Sequence, residues 1–139
     1  LENGDLAGIV SMGVVYGALA VSKEHDKFVL KMITGEQKFN NDVASTIQES
    51  NTITELNVSH LYFKYTVKST GVRPANETET APCEEISFAY SLDGKEYETV
   101  ASFEAFAGRW VGVKNGMFSS HIDDGDGGFV IAEYVRYFK

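Results

Sequence analysis

The sequence predicts an all-β fold in one domain of 139 residues, an antiparallel β-sandwich or barrel. Three observations support this class. Apolar and polar residues alternate with period two along several segments, which is typical of strands that place one face on a core. Turn-forming residues separate these segments at short intervals, and the chain has 13 glycines but only 2 prolines. Hydrophobic residues make up 43% of the chain, enough for a packed core.

The N-terminal half predicts several strands and one weak helix. Residues 9–12 and 16–22 flank a glycine and predict a hairpin. Residues 28–34 predict a strand that ends at Gly35 and Glu36. A helical signal of one or two turns occurs only at residues 41–50, with Asp42 as its N-cap, and a short strand follows at 53–58.

Residues 61–68 show the clearest alternation of the chain, with an apolar face and a wet face. Two further strands are predicted at residues 86–92 and 97–103. Asp93 and Gly94 lie between them and favour a type I′ turn, because both residues tolerate a positive φ. We therefore expect a β-hairpin here.

The region 106–138 predicts two strands around an acidic, glycine-rich loop, the second strand covering residues 129–138. A polar loop is predicted earlier, at 69–83. In the acidic loop, Asp123, Asp124 and Asp126 offer hard oxygen ligands for Ca²⁺. No Glu closes the run as an EF-hand requires, so an acidic surface hairpin is the favoured interpretation and calcium the alternative. No pattern in the chain requires a cofactor.

Aromatic residues are the candidates for ligand contact. Sugar sites place flat aromatic rings against pyranose faces and frame them with polar groups. Arg109, Trp110 and Tyr16 are the candidate ligand-binding residues, on the condition that Trp110 is exposed. Aromatic residues on strands more often belong to the core or to cross-strand pairs, and that interpretation is favoured for any one of them.

The residue patterns predict no catalytic residue in this chain. Acidic residues are frequent, but no spacing selects a pair of carboxylates for glycoside hydrolysis. His25, His60 and His121 are too far apart in sequence to form a metal-ligand motif. The single cysteine, Cys83, has no thiolate-activating motif and excludes an internal disulfide.

Charge and hydropathy exclude two classes of partner. The formal net charge is -8, and an acidic surface repels phosphate backbones, so we expect no nucleic acid partner. No apolar run approaches the roughly 20 residues that span a bilayer, so we expect no membrane insertion.

Several segments, in the same order, carry a resemblance to a known family. Residues 108–119 read Gly-Arg-Trp-Val-Gly-Val-Lys-Asn-Gly-Met-Phe-Ser, residues 128–137 form an aromatic closing run, residues 6–19 begin Leu-Ala-Gly-Ile, and residues 87–94 end in Ser-Leu-Asp-Gly. These runs resemble the C-terminal accessory domain of family 43 glycoside hydrolases, of the β-xylosidase and α-L-arabinofuranosidase type. The resemblance spans nearly the whole chain.

The resemblance implies a concanavalin A-like jelly-roll sandwich over residues 1–139, the C-terminal part of a larger glycosidase. It implies a partner, the five-bladed catalytic propeller, which holds the catalytic carboxylates and which this domain buttresses. Contact with xylan- or arabinan-type oligosaccharides is a further expectation, and an independent carbohydrate-binding module is the alternative function. A bacterial periplasmic or extracellular location is favoured over the cytoplasm.

The resemblance also implies that strands preceding residue 6 in the family are missing here. We therefore expect a sandwich that is incomplete at its N-terminus. Its sheet edges would then be open to self-association.

Overall fold

The computed structural model describes residues 1–40, 43–71, 82–106, 113–121 and 127–138, with the side chains of 37–40, 43–48 and 82 excepted. The described chain forms strands and contains no helix. The strands are β1 (Asp5–Met12), β2 (Val15–Glu24), β3 (Lys27–Asn40), β4 (Val43–Leu56), β5 (Tyr62–Ser69), β6 (Pro82–Ser91), β7 (Glu98–Phe106) and β8 (Lys114–His121).

Two antiparallel sheets contain these strands. The order is β4-β3-β2-β1-β8 in the five-stranded sheet and β5-β6-β7 in the three-stranded sheet. The strands β1 to β4 form a meander, and β8 joins the other side of β1 after the chain has built the second sheet. The prediction of an all-β, antiparallel, two-sheet sandwich is confirmed. In the part of the chain described, no helix could cross a membrane.

The core lies between the two sheets and follows from the period-two alternation of the strands. Along β1 the burial alternates residue by residue. Both sheets contribute fully or almost fully buried side chains, which are Ile9, Leu19, Leu30, Met32, Leu56, Ile86, Phe88 and Ala105. The rings of Phe88 and Phe103 stack with centroids 5.9 Å apart. Burial of this apolar surface is the main force that holds the layers together.

Gly17 of β2 makes room for Phe103 of β7 at the contact between the sheets. A Cβ atom on Gly17 would lie 2.5 Å from Cε1 of the Phe103 ring, far inside van der Waals contact. The absence of a side chain at this position therefore sets how closely the two layers approach.

The other face of the five-stranded sheet carries a second apolar cluster. Ala18, Ala20 and Ile33 are buried there, with half-buried Leu6, Val10, Tyr16 and Phe118 packed around them. A Cβ atom on Gly8 would overlap the backbone of Leu19 and Ala20, so neighbouring strands approach each other closely on this face.

The predicted end of a strand at Gly35 and Glu36 is wrong, because β3 continues to Asn40. The predicted helix at residues 41–50 is also wrong, because β4 begins at Val43 and pairs with β3 along its length. Residues 41 and 42 themselves lie outside the described residues. The ring of Tyr16 covers Gly35, which restores the packing that a glycine lacks in a strand.

The hairpin between β6 and β7 is confirmed, but its turn is not of type I′. Gly94 has a φ of 73°, whereas Asp93 does not have a positive φ. Positive φ at two adjacent residues occurs instead at His25 and Asp26, which connect β2 to β3. Among the predicted loop residues 69–83, the stretch 72–81 is outside the described residues, while β5 and β6 extend into its two ends.

The predicted final strand is wrong for the described residues 129–138, which form no sheet pairing. The segment passes the free edge of β5 and makes side-chain contacts there in place of ladder hydrogen bonds. The His60 ring nitrogen lies 3.4 Å from a Glu133 oxygen, and the rings of Tyr62 and Tyr134 are 6.5 Å apart. A composition rich in aromatic and β-branched residues favours an extended chain, but a strand also needs a paired backbone.

Candidate functional site

Tyr16 is the one candidate ligand residue that the structure describes. It lies on β2, half-buried in the apolar cluster of the five-stranded sheet, with its ring against Gly35. Burial raises the pKa of its phenol above the ordinary value of 10.0. Packing therefore occupies the ring face toward β3, and the role of Tyr16 in ligand binding stays a prediction.

The remaining candidate residues lie outside the described residues. They are Arg109 and Trp110 for ligand contact, and Asp123, Asp124 and Asp126 for metal. The structure therefore does not bring them together with Tyr16, and these assignments stay predictions. Within the described ranges, no group of three or more His, Cys, Asp or Glu side chains is arranged to hold a metal ion.

Asp5 is a buried carboxylate that residue patterns did not single out. Its side chain accepts hydrogen bonds from the backbone N–H groups of Glu2 and Gly128, and His121 Nδ1 lies 2.6 Å from Oδ1. The backbone hydrogen bond from Glu2 is the largest cause that lowers the pKa of Asp5 from 3.8 to about 2. Asp5 thus joins the chain start, the end of β8 and the beginning of the terminal segment.

This arrangement fits a structural role for Asp5 better than a metal site. Both carboxylate oxygens already accept hydrogen bonds from protein donors. His121 is therefore a structurally bonded histidine.

The turn between β6 and β7 borders a shallow depression of about 450 Å³. Its carboxylates are held by local hydrogen bonds. Asp93 accepts from the backbone N–H groups of Lys95, at 2.8 Å, and Glu96, at 3.1 Å, and these bonds lower its pKa. Glu98 accepts from the Tyr90 hydroxyl at 3.0 Å. The depression is lined by a third carboxylate, Glu96, and these bonds tie Asp93 to the turn and Glu98 to β6.

A cluster of three tyrosines lies on the outer face of the three-stranded sheet, and we call it the tyrosine platform. Tyr62 lies on β5, Tyr97 immediately precedes β7, and Tyr134 lies in the terminal segment. The Tyr62 and Tyr134 rings are 6.5 Å apart and tilted by 45°. Tyr62 also packs on Gly94 of the turn, where an added Cβ would be 3.0 Å from the ring.

Two cations accompany the tyrosine platform. Lys64 Nζ is 5.5 Å from the centre of the Tyr97 ring, and the Arg136 guanidinium carbon is 4.8 Å from that of Tyr134. Burial is the largest cause that raises the pKa of Tyr97, and the neighbouring phenols of Tyr134 and Tyr62 add to it. All five groups therefore belong to one surface.

Sequence reasoning did not single out Tyr62, Tyr97 or Tyr134 from the other aromatic residues. Alternation on β5 places Tyr62 and Lys64 on the face opposite Phe63 and therefore away from the core. That signal was available in the sequence. The contacts of Tyr62 and Lys64 with Tyr134 and Tyr97 depend on the sheet order and on the path of the terminal segment. No local sequence pattern predicts either of these.

Exposed apolar residues mark the terminal segment. Tyr137 and Phe138 are 84% and 87% exposed, and Phe129 and Ile131 are 78% and 75% exposed. Such a concentration along one segment is unlike the scattered apolar residues of an ordinary surface. It is typical of a surface that another protein covers.

The two antiparallel sheets define a β-sandwich domain. The family model for the beta xylosidase C-terminal concanavalin A-like domain matches residues 1–138, and the chain belongs to this family. Its members are C-terminal accessory domains of family 43 glycoside hydrolases. No curated protein and no solved structure matches the chain.

Proposed function

We propose that this domain buttresses the catalytic propeller of a polysaccharide-degrading glycoside hydrolase of the β-xylosidase type. The exposed apolar surface of residues 129–138 carries the proposal, because it offers a large hydrophobic contact to a neighbouring domain. Family membership supports a catalytic domain as that neighbour, since the domain is named as the C-terminal part of a beta xylosidase. The catalytic carboxylates belong to the propeller in this proposal.

Binding of the 139-residue chain to the separately expressed catalytic domain of its parent enzyme tests the buttress role. Ile131→Ser removes a side chain that is 75% exposed in the terminal segment. Leu92→Ser is the matched control, because Leu92 is 54% exposed but lies in the turn after β6. Full burial of such a side chain is worth about 1.5–3 kcal/mol. We therefore expect about tenfold or greater loss of affinity for Ile131→Ser and little loss for Leu92→Ser.

Calorimetric titration measures both affinities. Equal affinity of the two variants would contradict the assignment of the terminal segment as the contact. Absence of any binding between the unaltered chain and the catalytic domain would contradict the buttress role itself.

A second candidate function is contact with xylan- or arabinan-type oligosaccharides, as in an independent carbohydrate-binding module. The tyrosine platform favours it, because exposed aromatic rings framed by polar groups suit pyranose faces. Titration of the chain with xylo- and arabino-oligosaccharides tests this function. A change in Trp110 fluorescence on titration would support the predicted role of Trp110 and Arg109, and an unchanged signal would contradict it.

Open edges of the two sheets support a further proposal, self-association of the isolated domain. The strands β4 and β8 end the five-stranded sheet, and β5 and β7 end the three-stranded sheet. Sedimentation velocity over a range of concentrations measures it. A rigid monomer at every concentration would contradict the expectation.

A further inference from the structure

The tyrosine platform combines partly exposed aromatic rings with two cations that lie over them and have no carboxylate partner among the described residues. Among the residues that the structure describes, no carboxylate lies within 4.0 Å of Lys64 or Arg136, whereas Lys27, Lys31 and Lys68 each have one. A chain of net charge -8 has an excess of carboxylates for such pairing. The two cations of the tyrosine platform can therefore bind an anion from solution.

The chemistry of the five side chains selects the ligand. Tyrosine rings accept the apolar C–H faces of pyranose rings, and their hydroxyl groups bind sugar hydroxyls. Lys64 and Arg136 lie over the rings of Tyr97 and Tyr134, and their N–H groups can bind a carboxylate, Arg136 in a bidentate manner. A neutral oligosaccharide would use the rings alone, so the cations point to a sugar that carries its own carboxylate.

We propose that the outer face of the three-stranded sheet binds an acidic oligosaccharide, a pyranoside chain that carries a uronic acid. A pyranose ring lies on Tyr134, the next sugar contacts Tyr62 and Tyr97, and the uronate carboxylate lies between Lys64 and Arg136. This site rests on the oligosaccharide contact proposed above and names its ligand class. Tyr134 and Arg136 belong to the terminal segment that also carries the proposed contact with the catalytic domain, but Phe129 and Ile131 are not part of the sugar site, so different substitutions test the two proposals.

An acidic peptide is the competing ligand class, because two cations also attract aspartate and glutamate side chains. The three aromatic rings favour the sugar, since an acidic peptide has no flat apolar face to place on Tyr62 and Tyr134. Hexaglutamate is therefore included as a probe in the test.

The first experiment compares a xylotetraose that carries one glucuronic acid with unsubstituted xylotetraose, by calorimetry and by NMR titration of the 139-residue chain. We expect tighter binding of the acidic sugar and loss of this preference as salt is added. Lys64→Met and Arg136→Met are each expected to weaken binding of the acidic sugar by about two- to fivefold and to leave the neutral sugar unchanged.

Lys68→Met is the matched control for charge. Lys68 lies on β5 on the same face as Lys64, but its ammonium is 3.8 Å from a Glu85 carboxylate oxygen. The Lys68→Met substitution removes the same positive charge as Lys64→Met, but at a position away from the tyrosines. Equal loss of acidic-sugar binding in Lys64→Met and Lys68→Met would show attraction by net charge alone and overturn the proposal.

The rings are tested by Tyr134→Ala, with Tyr137→Ala as the control from the same exposed segment. We expect about fivefold weaker binding of both sugars for Tyr134→Ala and no change for Tyr137→Ala. Circular dichroism and thermal unfolding verify that each variant folds. Should Tyr134→Ala unfold, NMR shifts of the Tyr62 and Tyr97 ring protons in the unaltered chain decide the question.

Three further results would overturn the proposal. They are absence of binding by either sugar at millimolar concentration, acidic-sugar binding that leaves the Tyr62 and Tyr97 resonances unshifted, and hexaglutamate binding as tight as that of the acidic sugar. None of these results bears on association with the catalytic domain, which is measured separately. Failure of this site and failure of the buttress role are therefore distinguishable.

Discussion

Gly17→Ala tests whether the two sheets are packed as closely as the structure has them. The new Cβ would lie 2.5 Å from the Phe103 ring, and ordinary contact begins near 3.4 Å, so the ring has to move by about 1 Å. That ring also stacks on Phe88, which is fully buried. Overpacking of this kind costs about 1–3 kcal/mol.

The expected cost converts into a measurable change in melting temperature. The entropy of unfolding is about 0.3 kcal/mol/K for a chain of this length, so Tm falls by about 3–10 °C. Gly116→Ala is the matched control, because no atom lies within 4 Å of a Cβ at that position of β8. Since alanine restricts the unfolded chain more than glycine does, this control should be neutral or gain up to about 1 kcal/mol.

Thermal and denaturant unfolding of both variants provide the comparison, and a double mutant sharpens it. Phe103→Leu in the Gly17→Ala background leaves space for the methyl group, so the two changes should cost less together than the sum of their separate costs. Equal stability of Gly17→Ala and Gly116→Ala would refute the proposed contact between the sheets.

Three further changes test individual side chains. Asp5→Asn removes a carboxylate whose pKa is lowered to about 2. The destabilisation by this substitution should therefore be full above the ordinary pKa of 3.8 and should fade as pH falls through about 2. Denaturant unfolding at several pH values measures this, and a pH-independent difference in stability would contradict it. Ser11→Ala removes a buried hydroxyl with no partner among the described residues and should stabilise by about 1 kcal/mol, whereas a loss of stability would indicate a hidden partner. Added Ca²⁺ should leave Tm unchanged, and a rise in Tm would instead support a metal site at Asp123, Asp124 and Asp126.

Local patterns predicted the strands where the alternation was strong and the partner strand was adjacent in sequence. The hairpin of β6 and β7 is of this kind, whereas the hairpin of β1 and β2 was predicted from two apolar runs on either side of a glycine. The helix prediction for residues 41–50 was wrong because a short polar stretch has a weak helical signal when it is considered without its partner strand. In the structure, pairing with β3 extends β4 through it.

The terminal segment and the Asp5 site show what local patterns cannot contain. Residues 129–138 are rich in aromatic and β-branched residues as strands are, yet strand formation depends on whether a free edge in the correct orientation accepts their backbone. Asp5 gains its role only when His121 and Gly128 reach it from the far end of the chain. Both outcomes depend on long-range topology.

The position of β1 has a consequence during protein synthesis. Its partner β2 follows at once, but its other partner, β8, emerges from the ribosome only after the whole second sheet. Until then β1 is the outermost strand of a nascent meander, and its backbone donors and acceptors on that side are open to foreign strands. A chain that is terminated prematurely after β7 would keep this edge of β1 unpaired and would be prone to aggregation.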